Sequence, residues 1–334
     1  MDYVTLGKTG LKISRLGFGG IPIQKIDASG TKVLMHQLKE AGVNYIDTAR
    51  GYTVSESYLG EALEGIRGNF VLATKSMSRD AAGMAKDIDI SLGNLRTDYI
   101  DLYQVHNPTV AQLEQVVAPG GALEALMEAK QAGKIGHIGL TAHSLEVFKM
   151  ALEMDWVETI MFPYNIVETQ GESLIHKCAQ KNIGFIAMKP LAGGALEDAE
   201  LAIRFIAANP DVTVIIPGMA EPKEIQQNIA ACRTSQLTGE DWEKINAIRS
   251  TLGTEFCRRC NYCAPCAQGI SIPSVFLFEG YLTRYGLGDW AKDRYASMAK
   301  HASDCIGCGA CEDRCPYNLP IRKMMQRAAE KFGK

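Results

Sequence analysis

The chain has 334 residues, 46% of them apolar, a formal net charge of −3 and ten cysteines. That length suits one large domain and a small one. Neither a basic stretch for nucleic acid nor an apolar run of about eighteen residues for a membrane span is present.

The polar start, MDYVTLGKTG, lacks the apolar run of a secretory signal, so a reducing, cytoplasmic setting is expected, with the cysteines serving metal or redox chemistry. The opening stretch YVTLGKTGLKISRLG predicts a hairpin with Gly7 and Gly10 at its turn. Eight short apolar runs follow: 16–20, 44–49, 70–75, 100–106, 135–141, 159–165, 184–191 and 212–219. Helical stretches separate them, for example SESYLGEALEGI and GALEALMEAKQAG, with apolar residues three and four apart. Eight strand–helix units predict an α/β chain of the closed (β/α)8 TIM barrel type, with the hairpin capping its bottom. The stretch GFGGIP raises a Rossmann alternative. Pro22 replaces the third glycine of that fingerprint, however, and no acidic residue ends the next strand at the required distance.

A barrel carries its chemistry at the C-terminal ends of its strands. Asp47 closes the second run, Tyr52 follows it, Lys75 closes the third and His106 the fourth. Taken singly, Asp47 and Lys75 could be a buried salt bridge and His106 a satisfied core histidine. Together on consecutive strand ends they form a reactive set. An ammonium near a phenol favours the phenolate, a carboxylate fixes the ammonium, and an imidazole orients an oxygen. Such a group is a general acid for a carbonyl oxygen that receives negative charge as hydride reaches its carbon.

With the hairpin, IDTARGY, ATK and DLYQVH, residues 1 to about 250 resemble the aldo-keto reductase family. The resemblance implies Tyr52 as proton donor, Asp47 and Lys75 as its tuning pair, and His106 as the group orienting a small aldehyde or ketone. It further implies an extended nicotinamide dinucleotide, NADPH or NADH, bound without a Rossmann motif. At the matching positions Thr141 and Ala142 stand for a Ser-Asn pair, and Met161 for a glutamine. Asn165, Gly218, Glu224, Gln227 and Asn228 match cofactor-cleft positions. For Gln227 and Asn228 the competing reading is a solvated helix face. Glu224 would repel a 2′-phosphate and accept from a ribose hydroxyl, which tips the balance towards NADH, with Lys223 as the counterweight.

The last quarter of the chain holds eight of the ten cysteines. Cys305, Cys308, Cys311 and Cys315, followed by Pro316, have the spacing of a bacterial ferredoxin cluster motif. Cys257, Cys260, Cys263 and Cys266 repeat it with a shorter last gap and Ala267 in place of proline. Because two-cluster ferredoxins exchange their fourth ligands, one 4Fe–4S cluster is expected on Cys257, Cys260, Cys263 and Cys315. The other is expected on Cys305, Cys308, Cys311 and Cys266. A pair of zinc sites, each with four cysteine ligands, is the alternative, although such sites do not call for a third cysteine in each tight loop. Cys178 and Cys232, on amphipathic helices, are expected to be small buried hydrophobes. The intervening stretch and the final LPIRKMMQRAAEKFGK are helical in pattern. The tail resembles the ferredoxin-type iron–sulfur domain appended to a branch of the aldo-keto reductases, implying domains at 1–252 and 253–334.

Three functional readings stay open from sequence. The barrel is a carbonyl reductase braced by its clusters; or the clusters wire the barrel to a ferredoxin or other electron carrier, with a flavin as mediator; or the chain is a non-catalytic iron–sulfur redox sensor.

Overall fold

The computed structural model describes residues 1–259, 261–284, 286–315 and 317–333, and it divides into two compact units. The first comprises Met1–Asn165, Thr169–Pro190 and Asp198–Gln236; the second comprises Ile166–Glu168, Leu191–Glu197 and Leu237–Lys334.

Two short antiparallel strands open the first unit, β1 (Tyr3–Thr5) and β2 (Lys12–Ser14). They are joined through a turn in which Gly7 has φ 52° and Gly10 φ 73°. Glycine is required at position 7 on packing grounds too, since a Cβ there would lie 2.2 Å from the Gly184 nitrogen.

Eight parallel strands follow: β3 (Phe18–Gly19), β4 (Tyr45–Asp47), β5 (Val71–Ser76), β6 (Ile100–His106), β7 (Ile135–Thr141), β8 (Thr159–Pro163), β9 (Gly184–Met188) and β10 (Val214–Ile216). They pair in chain order. Bridges Leu16↔Ile215 and Gly19↔Gly218 join the first to the last and close the barrel. Strands β5, β8 and β9 are buried along their whole length, as expected of parallel strands covered on both faces.

Helices separate the strands: α1 (Ala28–Glu40), α2 (Ser55–Ala62), α3 (Ala81–Asn94), α4 (Val110–Val117), α5 (Ala122–Gln131), α6 (Leu145–Ala151), α7 (Glu172–Gln180), α8 (Ala199–Ala207) and α9 (Pro222–Arg233). Local side chains set their starts. Asp27, Asp80, Ser144 and Asp198 each accept a backbone N–H in the first turn. Helix α4 is an addition between β6 and α5, started by a reciprocal Thr109–Gln112 capping box. Inside the barrel, Leu6 and Ile13 of the hairpin pack with Tyr45, Ala73, Leu102, Met161, Ile186 and Val214.

The second unit holds α10 (Gly239–Thr251), α11 (Ile272–Thr283), α12 (Gly288–Ala296), α13 (Ala310–Asp313) and α14 (Ile321–Phe332). Its core joins Ile272, Val275, Phe276, Tyr295, Met324 and Met325 to Cys263, Cys311 and Cys315. Tyr295 stacks on Phe332 with centroids 3.8 Å apart. The buried carboxylate of Glu279 accepts from Arg327 Nε at 2.9 Å and Lys331 Nζ at 2.8 Å, which ties α11 to α14. No described helix is long and apolar enough to cross a membrane.

Leu6 is fully buried as the plug of the hairpin, against Gly184. Leu6→Ala is expected to cost about 2–5 kcal/mol, through lost burial and the cavity left behind. A lower urea midpoint in the circular-dichroism unfolding curve would register that loss.

Candidate active site

Asp47, the last residue of β4, and Lys75, near the end of β5, are each 2% exposed. A charge so placed must be paired. Lys75 Nζ donates to Asp47 Oδ2, and to the Thr48 carbonyl at 2.8 Å. The other carboxylate oxygen, Oδ1, accepts from Gln104 Nε2 on β6 at 3.0 Å. Burial pushes the Lys75 ammonium below its ordinary value, and the attraction of Asp47 opposes the shift. Burial likewise raises Asp47, opposed by Lys75 and Gln104.

Tyr52 lies in the loop after β4, its ring centroid 4.9 Å from Lys75 Nζ. The His106 ring meets it edge-on, with centroids 6.3 Å apart at 87°. His106 is half-buried overall, yet its Nδ1 is sealed from solvent with no hydrogen-bond partner among the described residues. Its pKa is pushed well below the ordinary 6.5, first by burial and then by the positive charges of Lys75, Arg79 and Lys189. The four residues singled out in the sequence therefore converge on one place.

Three of their neighbours were not anticipated. Gln104 orients Asp47. Arg79 donates to the His106 carbonyl at 2.8 Å. Lys189, just after β9, acts on His106 through its charge. Gln104 stands two residues before His106, and the two-residue period of a strand puts both on one face. Lys189 satisfies the criterion that picked Lys75, a charge ending an apolar run. Behind Lys75, buried Glu56 accepts from Thr74 and Ser91 at 2.8 Å each and from Arg50 at 3.0 Å, and its charge supports the ammonium.

The expected cofactor positions are mixed. Thr141 is buried at the end of β7; its hydroxyl accepts from the Asn107 nitrogen at 3.0 Å and keeps its own proton to donate. Asn165 is fully buried and donates to the Lys189 carbonyl at 2.9 Å. Gly218 pairs with Gly19, and a Cβ there would meet Pro22 at 2.6 Å. Asn228 is buried, whereas Gln227 is exposed on α9. Glu224 Oε2 accepts from the Ala220 and Glu221 nitrogens at 2.7 and 2.9 Å, closing the capping box of α9. One oxygen of the anticipated ribose acceptor is thus held by the helix start. Lys223 is tied to Glu221 at 2.7 Å, and the charge of Glu224 is felt by Lys25.

Cys178, Cys232, Cys266, Cys305, Cys308, Cys311 and Cys315 are free thiols, and Cys260 lies outside the described residues, as does Pro316. In the second unit, Cys266, Cys305, Cys308 and Cys311 line one pocket, together with Ile270, Ile272 and Met325. This thiol set combines three cysteines of the second motif with the last of the first. Cys263 and Cys315 are buried in the core, with Cys257 packed against it. Among the described residues no three His, Cys, Asp or Glu side chains are gathered as tightly as a single bound ion requires. Four cysteines on one pocket wall, spread wider than a single ion's ligands, are a donor set of the kind a multinuclear iron–sulfur core takes. In the barrel unit, burial pushes Cys178 up to about 12 and Cys232 up to about 11, which leaves both inert.

Residues 15–201 and 197–250 match the aldo/keto reductase family, and residues 256–320 match the 4Fe-4S dicluster domain. L-galactose dehydrogenase from Arabidopsis thaliana is 27% identical, over 75% of this chain and 94% of its own. Among solved structures, the holo form of aldo-keto reductase AKR11C1 from Bacillus halodurans is 26% identical, with a TM-score of 0.66 over 74% of this chain and 96% of its own. An aldo-keto reductase from Klebsiella pneumoniae in complex with NADPH shares the fold, with a TM-score of 0.65 and 23% identity over 74% of this chain and 95% of its own.

The depressed His106 has a consequence for stability. Unfolding restores its ordinary pKa near 6.5, so below that pH the unfolded chain binds more protons and stability falls as pH drops. Between pH 6.5 and 5.5 this group removes at most about 1 kcal/mol. His106→Gln should lose correspondingly less stability over that interval when urea unfolding of both proteins is compared.

Proposed function

Because the chain belongs to the aldo/keto reductase family and carries a C-terminal 4Fe-4S dicluster domain, we propose that it reduces an aldehyde or ketone to an alcohol with a nicotinamide dinucleotide. The observation that carries this reading is the approach of Lys75 Nζ to 4.9 Å from the Tyr52 ring, with its charge anchored by buried Asp47. The dinucleotide supplies hydride to the carbonyl carbon when bound. Tyr52 gives the proton that the carbonyl oxygen needs as its charge develops. Lys75 favours the phenolate that remains, which eases the transfer from a group whose ordinary pKa is near 10. Asp47, steadied by Gln104, keeps the ammonium in place. His106 is neutral near pH 7, so it hydrogen-bonds the substrate oxygen without adding a full charge.

Thr141, Asn165, Gly218, Glu224, Gln227 and Asn228 are the chain's own candidates for holding the dinucleotide. The buried Thr141 hydroxyl and Asn165 amide suit a carboxamide, and the Cβ-free Gly218 suits close backbone approach. NADH is the preferred form in this reading, since Glu224 opposes a 2′-phosphate on the adenosine ribose. Lys25 moderates that preference. The division of roles follows residues 1–252 for hydride chemistry and 253–334 for two clusters. One is held by Cys257, Cys260, Cys263 and Cys315, the other by Cys305, Cys308, Cys311 and Cys266. The pocket lined by four thiols supports the second set.

A second reading, in which the clusters exchange electrons with an external carrier, is favoured by one feature. Cys308 is exposed, and its neighbour Ile306 is 64% exposed. One-electron exchange needs such an accessible edge.

Tyr52→Phe should lower carbonyl reduction by about 10²–10⁴-fold, the worth of a positioned general acid, while leaving dinucleotide affinity nearly unchanged. Steady-state turnover over a carbonyl panel, with fluorescence titration of NADH and NADPH, tests both halves. Anaerobically prepared protein should hold about eight irons and eight sulfides per chain, and Cys266→Ala about four of each, as counted by colorimetric iron and sulfide assay.

A further inference from the structure

We propose that Arg314 is a charge-balancing and positioning residue for the cluster held by Cys266, Cys305, Cys308 and Cys311. The inference rests on the reading of those four thiols as one ligand set. Arg314 lines their pocket. Its Nη2 donates to the Cys263 carbonyl at 2.8 Å and the Pro265 carbonyl at 2.7 Å. A side chain from the second motif therefore clamps the first motif's loop at the residue just before Cys266.

The charge at the pocket rim points the same way. Arg322, the second cation lining this pocket, is paired with Glu312 at 2.8 Å. Arg314 forms no ion pair with any described carboxylate, so no salt bridge ties up its guanidinium. A guanidinium stays protonated wherever the protein is folded. Four thiolates around an iron–sulfur core carry net negative charge, and reduction adds one electron more. Net charge and hydrogen bonding around the sulfurs are the quantities that set a cluster's potential. A fixed cation at the rim favours the reduced state. Arg314 is exposed, so water and salt screen the interaction and its size is modest.

The test uses full-length protein prepared without oxygen, as wild type, Arg314→Gln and Arg314→Lys. Each is assayed for iron and sulfide, then titrated with dithionite and followed by electron paramagnetic resonance. Arg314→Gln keeps a donor for the loop carbonyls without the charge. It should retain wild-type iron and sulfide while one cluster's reduction equilibrium falls about tenfold, a shift of about 59 mV for a one-electron couple. Arg314→Lys keeps the charge and should stay within about threefold of wild type. The gap between Arg314→Gln and wild type should shrink in 1 M salt, where the Debye length is about 3 Å. A fully loaded Arg314→Gln with unchanged potentials overturns the proposal. Equal loss of iron from both variants does so too, since it leaves Arg314 a brace alone. Wild-type protein with only about four irons removes the ligand set itself and is distinguishable from either result.

Discussion

An ammonium and a carboxylate sealed together inside a closed barrel constrain everything around them. Neither Lys75 nor Asp47 can reach bulk water, so each must be answered by the other or by a fixed dipole. That requirement reaches across three successive strands. Asp47 ends β4, Lys75 stands on β5, and Gln104, which faces Lys75 in the β5–β6 register, holds the second carboxylate oxygen. A slip of one residue in either pairing would turn a charge into the barrel wall. The geometry around Tyr52 and His106 is therefore a product of sheet register, held by the energetic penalty of an unpaired buried ion.

The same principle recurs with different partners. Glu56 is satisfied by hydroxyls of Thr74 and Ser91 and the guanidinium of Arg50. Glu168 is fully buried and held by Arg259 at 2.8 Å. Glu279 is held by Arg327 and Lys331. In each unit the buried acids bind segments distant in sequence, and they do so more directionally than apolar packing can.

Much of this was legible beforehand, and the gaps have physical causes. The eight strand runs were readable because a parallel strand buried on both faces is apolar throughout. β6 and β7 run over the very residues the periodicity marks, 100–106 and 135–141. Asp47, Lys75 and His106 stood out as polar endings to such runs. Gln104 did not, because an uncharged amide inside a strand raises no energetic alarm until its partner is known. Helix α4 lies inside HNPTVAQLEQVVAPGG, where flanking prolines and glycines mask a helix of eight residues and its Thr109–Gln112 capping box. Glu224 also caps unsatisfied amides at the start of α9 through one carboxylate oxygen, a local role its charge alone does not reveal. Sequence shows what kind of group a residue carries. It shows less well which nearby backbone has prior claim on it.

Cys266 travels with one cysteine motif and opens onto the pocket of the other. About forty residues of largely helical chain separate it from Cys305, its partner in that wall. On the proposed ligand sets, a lobe wired in this crossed fashion would not mature half at a time. Whatever delivered iron and sulfide would then have to find both loops already brought together, or bring them together itself. Damage to either centre would then loosen the footing of its twin, making the pair a single unit of inheritance and of failure.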